Sequence, residues 1–267
     1  MKKVLFIGAG RMATAIASGM VNCGFEKENI KAFDILEQAA ASFKNATGID
    51  CFWENIDTLI EDAEVVFLAV KPQFIAGAVG KLDGKLADKF IVSIAAGVSI
   101  AKIADLTGSS HIVRVMPNTP ALVGKGCAAF AGSENVTSEE LAFVENVLKS
   151  VGAAFNLPEK LMDAVTALSG SGPAYIFEMV DAMSDGGACC GLPRELALEM
   201  AIATCEGAAA MLRETRLHPS ILKDQVTSPG GTTMRALEVM KDGNFRETVV
   251  NAVKGACARS EELGRNV

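Results

Sequence analysis

The chain has 267 residues, half of them hydrophobic and 21% charged, with a net charge of −7. That length and apolar supply fill one large domain or two ordinary ones, and the surplus points to a buried subunit interface. No apolar run reaches the length of a membrane helix, and no basic cluster with interleaved aromatics offers a nucleic-acid footprint. The seven cysteines form no C-x-x-C pair and have no metal-ligand spacing with the two histidines. Odd in number and mostly inside apolar segments, they suit a reducing cytosol as buried small hydrophobes. A cytoplasmic protein without metal, membrane or nucleic-acid partners is expected.

Val4 to Ile7 reads as a short buried strand, and Met12, Ala15, Ile16 and Met20 then recur at helical spacing. At the junction, Gly8-Ala9-Gly10-Arg11-Met12-Ala13 fits G-x-G-x-x-G/A in the strand-to-helix context that makes this motif a dinucleotide-binding fingerprint. Gly8 permits the tight turn, Gly10 lets backbone approach a pyrophosphate, and Ala13 lets helix lie on strand. Met-Lys-Lys before an apolar run imitates a signal peptide, but Arg11 interrupts that run after a few residues.

Cys23-Gly24 is a helix stop, and Asn29 to Phe33 a second strand ending at Asp34. A carboxylate there can bond the adenosine ribose hydroxyls of a dinucleotide or cap the following helix, and both readings stand. Gln38 to Ala46 is helical, stopped by Gly48; a short strand at Asp50 to Trp53 precedes a helix near Asn55 to Ile60. Glu64 to Val70 is a continuous apolar run, the pattern of a parallel strand buried on both faces. Ligands of open parallel sheets sit beyond the carboxyl ends of strands, so Ala69, Val70, Lys71 and Pro72 should face the cofactor; for Lys71 a solvated turn is the plainer alternative. Phe90 to Ile94 repeats this logic and ends at Ala95-Ala96-Gly97. Ile112 to Met116 is a strand closed by Pro117-Asn118-Thr119-Pro120, and Cys127 to Ala131 is read as a further strand. Thr137 and Glu140 form a capping box for a helix to about Ser150, and Gly152 to Leu157 closes the half. Such alternation means a doubly wound α/β sheet of Rossmann type over residues 1–157.

From Pro158 the pattern turns all-α, with Pro173, Pro193 and Pro219 each placed for a first helical turn, and residues 158–267 are read as a helical domain. Pro193 to Arg213 is apolar on much of its circumference, which suggests burial on more than one side. Two Gly-dense stretches precede helices here: Ser169-Gly170-Ser171-Gly172-Pro173 and Ser228-Pro229-Gly230-Gly231-Thr232-Thr233. The second can present N–H groups and hydroxyls to a carboxylate, or can be an N-cap and turn without a ligand.

Pro219 to Met240 resembles the signature of the pyrroline-5-carboxylate reductases, and the resemblance covers essentially the whole chain. Gly8 to Ala13, Val70-Lys71-Pro72-Gln73, Ser93 to Gly97, Met116 to Pro120 and Leu168 to Tyr175 fall in the family's order. The resemblance implies reduction of 1-pyrroline-5-carboxylate to L-proline by a reduced nicotinamide, the last step of proline biosynthesis. It also implies an N-terminal Rossmann domain and an all-α C-terminal domain that interlocks with its partner's in a homodimer, often assembled further. By position, Ile7, Gly8, Ala9, Gly10, Arg11, Met12, Asp34, Asn55, Ala69 to Pro72, Ile94, Ala95 and Ala96 would contact cofactor. Ser228, Gly230, Gly231 and Thr232 would hold the substrate carboxylate, with Thr233 as hydrogen-bond donor at the ring nitrogen and the one catalytic side chain. Asp34 argues for NADH, since its charge repels a 2′-phosphate; the family more often uses NADPH, and Arg11 can pair with a phosphate. The reading takes NADPH, with NADH as the alternative.

A β-hydroxyacid dehydrogenase would share both halves but needs a lysine beside a Gly-rich helix start, and no lysine occurs between Ser169 and Leu222. A nicotinamide-nucleotide-binding regulator would keep the Gly8-to-Ala13 turn without needing an intact Gly230-to-Thr233 loop.

Overall fold

The structure is a computed structural model that describes residues 2–265. Eight strands form one sheet in the order β3-β2-β1-β4-β5-β6-β7-β8. They are β1 (Val4–Ile7), β2 (Ile30–Phe33), β3 (Cys51–Phe52), β4 (Val65–Leu68), β5 (Phe90–Ser93), β6 (Ile112–Met116), β7 (Gly126–Gly132) and β8 (Gly152–Asn156). The helices between them are α1 (Arg11–Asn22), α2 (Glu37–Thr47), α3 (Ile56–Asp62), α4 (Ile75–Val79), α5 (Ile100–Thr107) and α6 (Ser138–Lys149). All strand pairs are parallel except β6 with β7, which is antiparallel.

The continuous apolar runs are divided between two cores by the pleat. On β1, Val4 and Phe6 face one core while Leu5 and Ile7 face the other, and on β4 Val65 and Phe67 alternate in the same way with Val66 and Leu68. The first core is closed by Ile16 and Met20 of α1, Phe43 of α2 and Val144, Val147 and Leu148 of α6. The second is closed by Leu59 and Ile60 of α3, Ile75 and Val79 of α4 and Ile103 of α5. The rings of Phe6 and Phe67 stack at 4.7 Å between centroids at the centre of the first core. Burying each such ring contributes about 1.5–3 kcal/mol. Local stops agree with the sequence: Gly48 and Gly108 end α2 and α5 in the left-handed conformation, and Thr137 and Glu140 close a reciprocal capping box on α6.

The chain continues through α7 (Met162–Val165) and a π-helical turn at Thr166–Gly170 into α8 (Gly172–Cys189), α9 (Arg194–Thr215), α10 (Pro219–Gln225), α11 (Thr232–Asp242) and α12 (Phe245–Arg265). No described helix is long and apolar enough to cross a membrane. Two compact units result: one takes in the chain up to Ser171 together with the stretch from Ala256 onward, the other is Gly172–Gly255. Within the first, Ser260 Oγ of α12 donates to Asp163 Oδ1 of α7 at 2.7 Å. In the second, α8 and α9 meet through small residues, Gly187 against Ala197, and their turn is made by Gly191 at φ +100°. α9 buries only Ala197 and Ala201; Leu198, Met200, Ile202 and Met211 are exposed on its surface.

The further strand expected at Cys127 to Ala131 is β7, and it runs against its neighbour β6, because the short link through Pro117–Lys125 returns the chain along the adjacent edge instead of crossing over a face. Two expectations need correction. Pro193 is the N-cap of α9 and lies one residue before its first turn. Among the cysteines only Cys51 is buried; Cys23, Cys189 and Cys190 are exposed at helix ends, Cys205 and Cys257 are intermediate on helices, and Cys127 is intermediate near the start of β7.

Candidate active site

The carboxyl ends of β1, β2, β4 and β5 are brought side by side by the sheet order, with the reversal of chain direction around the sheet falling between β1 and β4. Open parallel sheets bind nucleotides in the crevice at such a switch point. Gly8 leaves β1 at φ +102°, and a Cβ there would lie 2.8 Å from the carbonyl carbon and oxygen of Ala69 after β4. Only glycine permits both the conformation and the approach. The turn is tied down on both sides: Gly8 N donates to Phe33 O at 2.7 Å, and Ala69 N donates to Ile7 O at 2.8 Å. Ile94, after β5, donates to Leu68 O at 3.1 Å, which sets Ile94, Ala95 and Ala96 beside Ala69 and Val70.

α1 begins at Gly10 with no side-chain cap and no acidic residue in its first turn. Its leading N–H groups therefore face outward with their partial positive charge, and no atom lies within 4 Å of where a Gly10 Cβ would be. An open glycine before an uncapped helix start fits a diphosphate. Arg11 is exposed and Met12 half-buried beside this turn.

Asp34 has a more defined place than either sequence reading gave it. The N-cap of α2 is Leu36, so Asp34 does not cap that helix. Its Oδ2 accepts from Ala9 N at 2.9 Å and its Oδ1 from Leu36 N at 3.0 Å, so the carboxylate bridges the glycine turn and the loop after β2. Burial, and then the negative charge of Asp34, push the Cys51 thiol up to about 11. Asn55 stands before α3 in the left-handed conformation at φ +58°, which Asn tolerates better than most side chains. Lys71 is exposed and opens a short 3₁₀ turn at Pro72–Phe74.

In the helical unit, Ser228 to Gly231 form a type II turn. Gly231 N donates to Ser228 O at 3.0 Å, Pro229 takes the second position, and Gly230 the third at φ +67°. Gly231 is the N-cap of α11, with no side-chain cap and no acid in the first turn. The N–H groups of Thr232 and Thr233 open the helix, and the Thr233 hydroxyl has no partner among the described residues. A Cβ on Gly231 would press on Ser228 Oγ and lie 3.1 Å from Ser228 O, so the turn is close at that glycine. Such an array suits a carboxylate. Ile7 to Met12, Asp34, Asn55, Ala69 to Pro72 and Ile94 to Ala96 lie in the first unit; Ser228 and Gly230 to Thr233 lie in the second.

Two features escaped the sequence reading. Asn118, 8% exposed, donates through Nδ2 to Ser169 O at 2.9 Å and accepts at Oδ1 from Cys127 N at 2.8 Å. It thereby fixes the Ser169-Gly170 stretch against β7, and a polar residue between two prolines was the available signal. At the ends of β2 and β3, Ile35, Leu36, Phe52 and Trp53 are exposed beside Asp34, whose N–H donates to Phe52 O at 2.9 Å. In the sequence Phe52 and Trp53 read as the end of a strand and Ile35 and Leu36 carried no reading, though four exposed apolar side chains beside a carboxylate suit an adenine ring.

Residues 159–263 match the family model for pyrroline-5-carboxylate reductase dimerisation, and residues 3–97 match that of the coenzyme F420-dependent NADP oxidoreductases. A pyrroline-5-carboxylate reductase of Arabidopsis thaliana is 42% identical, over 99% of this chain and 96% of its own. One of Methanosarcina acetivorans is 40% identical, over 99% and 98% respectively. Among solved structures, a Plasmodium falciparum pyrroline carboxylate reductase with NADP bound superposes with a TM-score of 0.88 at 33% identity, and a Coxiella burnetii pyrroline-5-carboxylate reductase with 0.91 at 33%, each covering 98% of both chains. With identity of this order along its full length, the chain belongs to the pyrroline-5-carboxylate reductase family.

Proposed function

We propose that this protein reduces 1-pyrroline-5-carboxylate to L-proline, the last step of proline biosynthesis, with NAD(P)H as cofactor. The observation that carries this reading is the near full-length agreement with reductases of that name in a chain that has both a dinucleotide turn and a carboxylate turn.

The dinucleotide lies along the carboxyl ends of β1, β2, β4 and β5, with its diphosphate on the turn Ile7 to Met12, its adenosine ribose at Asp34 and its nicotinamide end at Ala69 to Pro72 and Ile94 to Ala96. Asn55 belongs to the same crevice. Ser228, Gly230, Gly231 and Thr232 hold the substrate carboxylate through N–H groups and hydroxyls. Thr233 Oγ1 donates a hydrogen bond to the ring nitrogen. A reduced nicotinamide held there would supply the hydride that the imine carbon takes up; the C=N π pair passes to the ring nitrogen, whose proton comes from solvent through Thr233 Oγ1.

Once the ring nitrogen takes a proton relayed from solvent through Thr233 Oγ1 the imine is electrophilic, so the protein's work is orientation and charge matching rather than strong acid–base catalysis. That accounts for a site in which one threonine is the catalytic side chain. Residues 1–157 serve as the dinucleotide-binding domain and 158–267 as the helical dimerisation and substrate-binding domain. The exposed apolar surface of α9 is covered by a second copy in a homodimer, which assembles further into a larger homo-oligomer, and the protein works in the cytoplasm.

The test is consumption of reduced nicotinamide with pyrroline-5-carboxylate, with proline measured separately. One proline per nicotinamide consumed is expected. Tight nucleotide binding with no consumption would replace this reading with that of a non-catalytic nucleotide-binding regulator.

A further inference from the structure

The loop that receives the adenosine ribose carries a charge pattern that separates NADH from NADPH. This inference rests on the cofactor placement above and concerns only the 2′ position, where NADPH bears a phosphate and NADH a hydroxyl. The Asp34 carboxylate is not a side chain free to swing aside. Both of its oxygens are held by backbone N–H groups, of Ala9 at 2.9 Å and Leu36 at 3.0 Å. Moving it away from a phosphate would break both bonds.

Within the loop itself the neighbouring groups add negative charge and no cation. The segment Asp34-Ile35-Leu36-Glu37-Gln38 contains two acids and no base. The start of α2, a helix end that could hold a phosphate, already gives Leu36 N to Asp34 and has Glu37 in its first turn. The nearest lysines in the sequence are engaged: Lys31 with Asp62 at 3.2 Å and Lys44 with Asp50 at 2.9 Å. Arg11 is the exposed cation of this region, but as first residue of α1 it borders the turn for the diphosphate, which both cofactors carry. Ile35 and Leu36, 75% and 63% exposed, offer apolar surface to an adenine rather than donors to a phosphate.

We infer that Asp34, held between the glycine turn and the loop after β2, makes this reductase select NADH over NADPH by accepting from the ribose hydroxyls and repelling a 2′-phosphate. The carboxylate gains two charge-assisted hydrogen bonds with the diol and loses them, against like charge, with the phosphate.

Dissociation constants of NADH and NADPH, read by the nicotinamide fluorescence of the binary complexes, test this without any turnover. The unaltered protein is expected to bind NADH at least about tenfold more tightly. Asp34→Ser should narrow that ratio by about tenfold or more, through tighter NADPH and weaker NADH. Asp34→Asn, which retains an acceptor for Leu36 N while losing the charge, should also narrow it, and thermal melting reports whether either variant is folded. Arg11→Ala should weaken both cofactors by similar factors. Equal or tighter NADPH binding by the unaltered protein would overturn the inference, as would an unchanged ratio in folded Asp34→Ser and Asp34→Asn. Preferential NADH binding without reduction of pyrroline-5-carboxylate would leave the selectivity standing and remove the proposed reaction instead.

Discussion

The two units of this molecule use their apolar residues in opposite ways. In the sheet unit the central strands β1, β4 and β5 are wholly inside, and helices close both faces, so Phe6, Ile16, Phe67 and Leu68 have no exposure worth counting. In the helical unit α9 runs 22 residues and buries two alanines, leaving leucines, methionines and an isoleucine bare. A sheet with both faces covered finishes its core within one chain. A helix apolar around most of its circumference does not, and a second chain must supply the missing contacts. On the proposed reading the sheet unit carries the nucleotide site and the helical unit supplies the subunit contact of the homodimer.

That contrast can be broken most severely in α9. Leu198→Glu with Ile202→Glu places two carboxylates one helical turn apart on the exposed apolar surface. Burying them unpaired costs several kcal/mol, so light scattering should show a smaller species and activity should fall about 100-fold or more. Val123→Glu, at a still more exposed apolar residue of the sheet unit, should keep the native mass. If both variants dissociate, or neither does, the division of roles between the units is wrong.

A smaller effect separates chemistry from nucleotide binding. Thr233→Ala should lower turnover about 100-fold, the lower end for a positioned proton donor, with nucleotide dissociation constants unchanged. Equal turnover would remove Thr233 from the mechanism. Gly8→Ala sharpens the same comparison from the other side. Its Cβ would sit 2.8 Å from the Ala69 backbone at φ +102°, a strain of about 1–3 kcal/mol. Nucleotide affinity should drop about tenfold while the oligomer remains intact.

The smallest expected effect is a pH dependence confined to the sheet unit. Burial raises the Glu140 pKa, but hydrogen bonds from Thr137 and His111 outweigh it and leave the carboxyl below its ordinary 4.5. A depressed carboxyl stabilises the fold above the unfolded pKa, and that contribution is lost as pH falls through the folded value. Urea midpoints of Glu140→Gln should therefore fall less steeply than those of the unaltered protein below about pH 4. Parallel curves would show that the pair contributes nothing.

Much of the sheet unit is legible in the chain because its signals are local. Val65 to Leu68 is apolar without interruption, Gly48 is a stop, and Thr137 with Glu140 is a cap, each readable within a few residues. The dinucleotide turn is legible for the same reason. The direction of β7 is not, since strand polarity depends on where the link through Asn118 and Pro120 leads the chain. Asp34 shows the same limit: the sequence offers a carboxylate after a strand, but its bond to Ala9 N joins residues 25 apart. Asn118 likewise gains its role from Ser169, 51 residues away. In the helical unit the Ser228-to-Thr233 turn was visible from Pro, Gly and Thr, while its function came from the likeness to the reductases.

The most direct test of the proposed reaction follows the hydrogen itself. Reduced nicotinamide deuterated at its transferring carbon, incubated with pyrroline-5-carboxylate and this protein, should give proline carrying one deuterium at the former imine carbon. Proline without that label, or no proline despite bound nucleotide, would contradict the account.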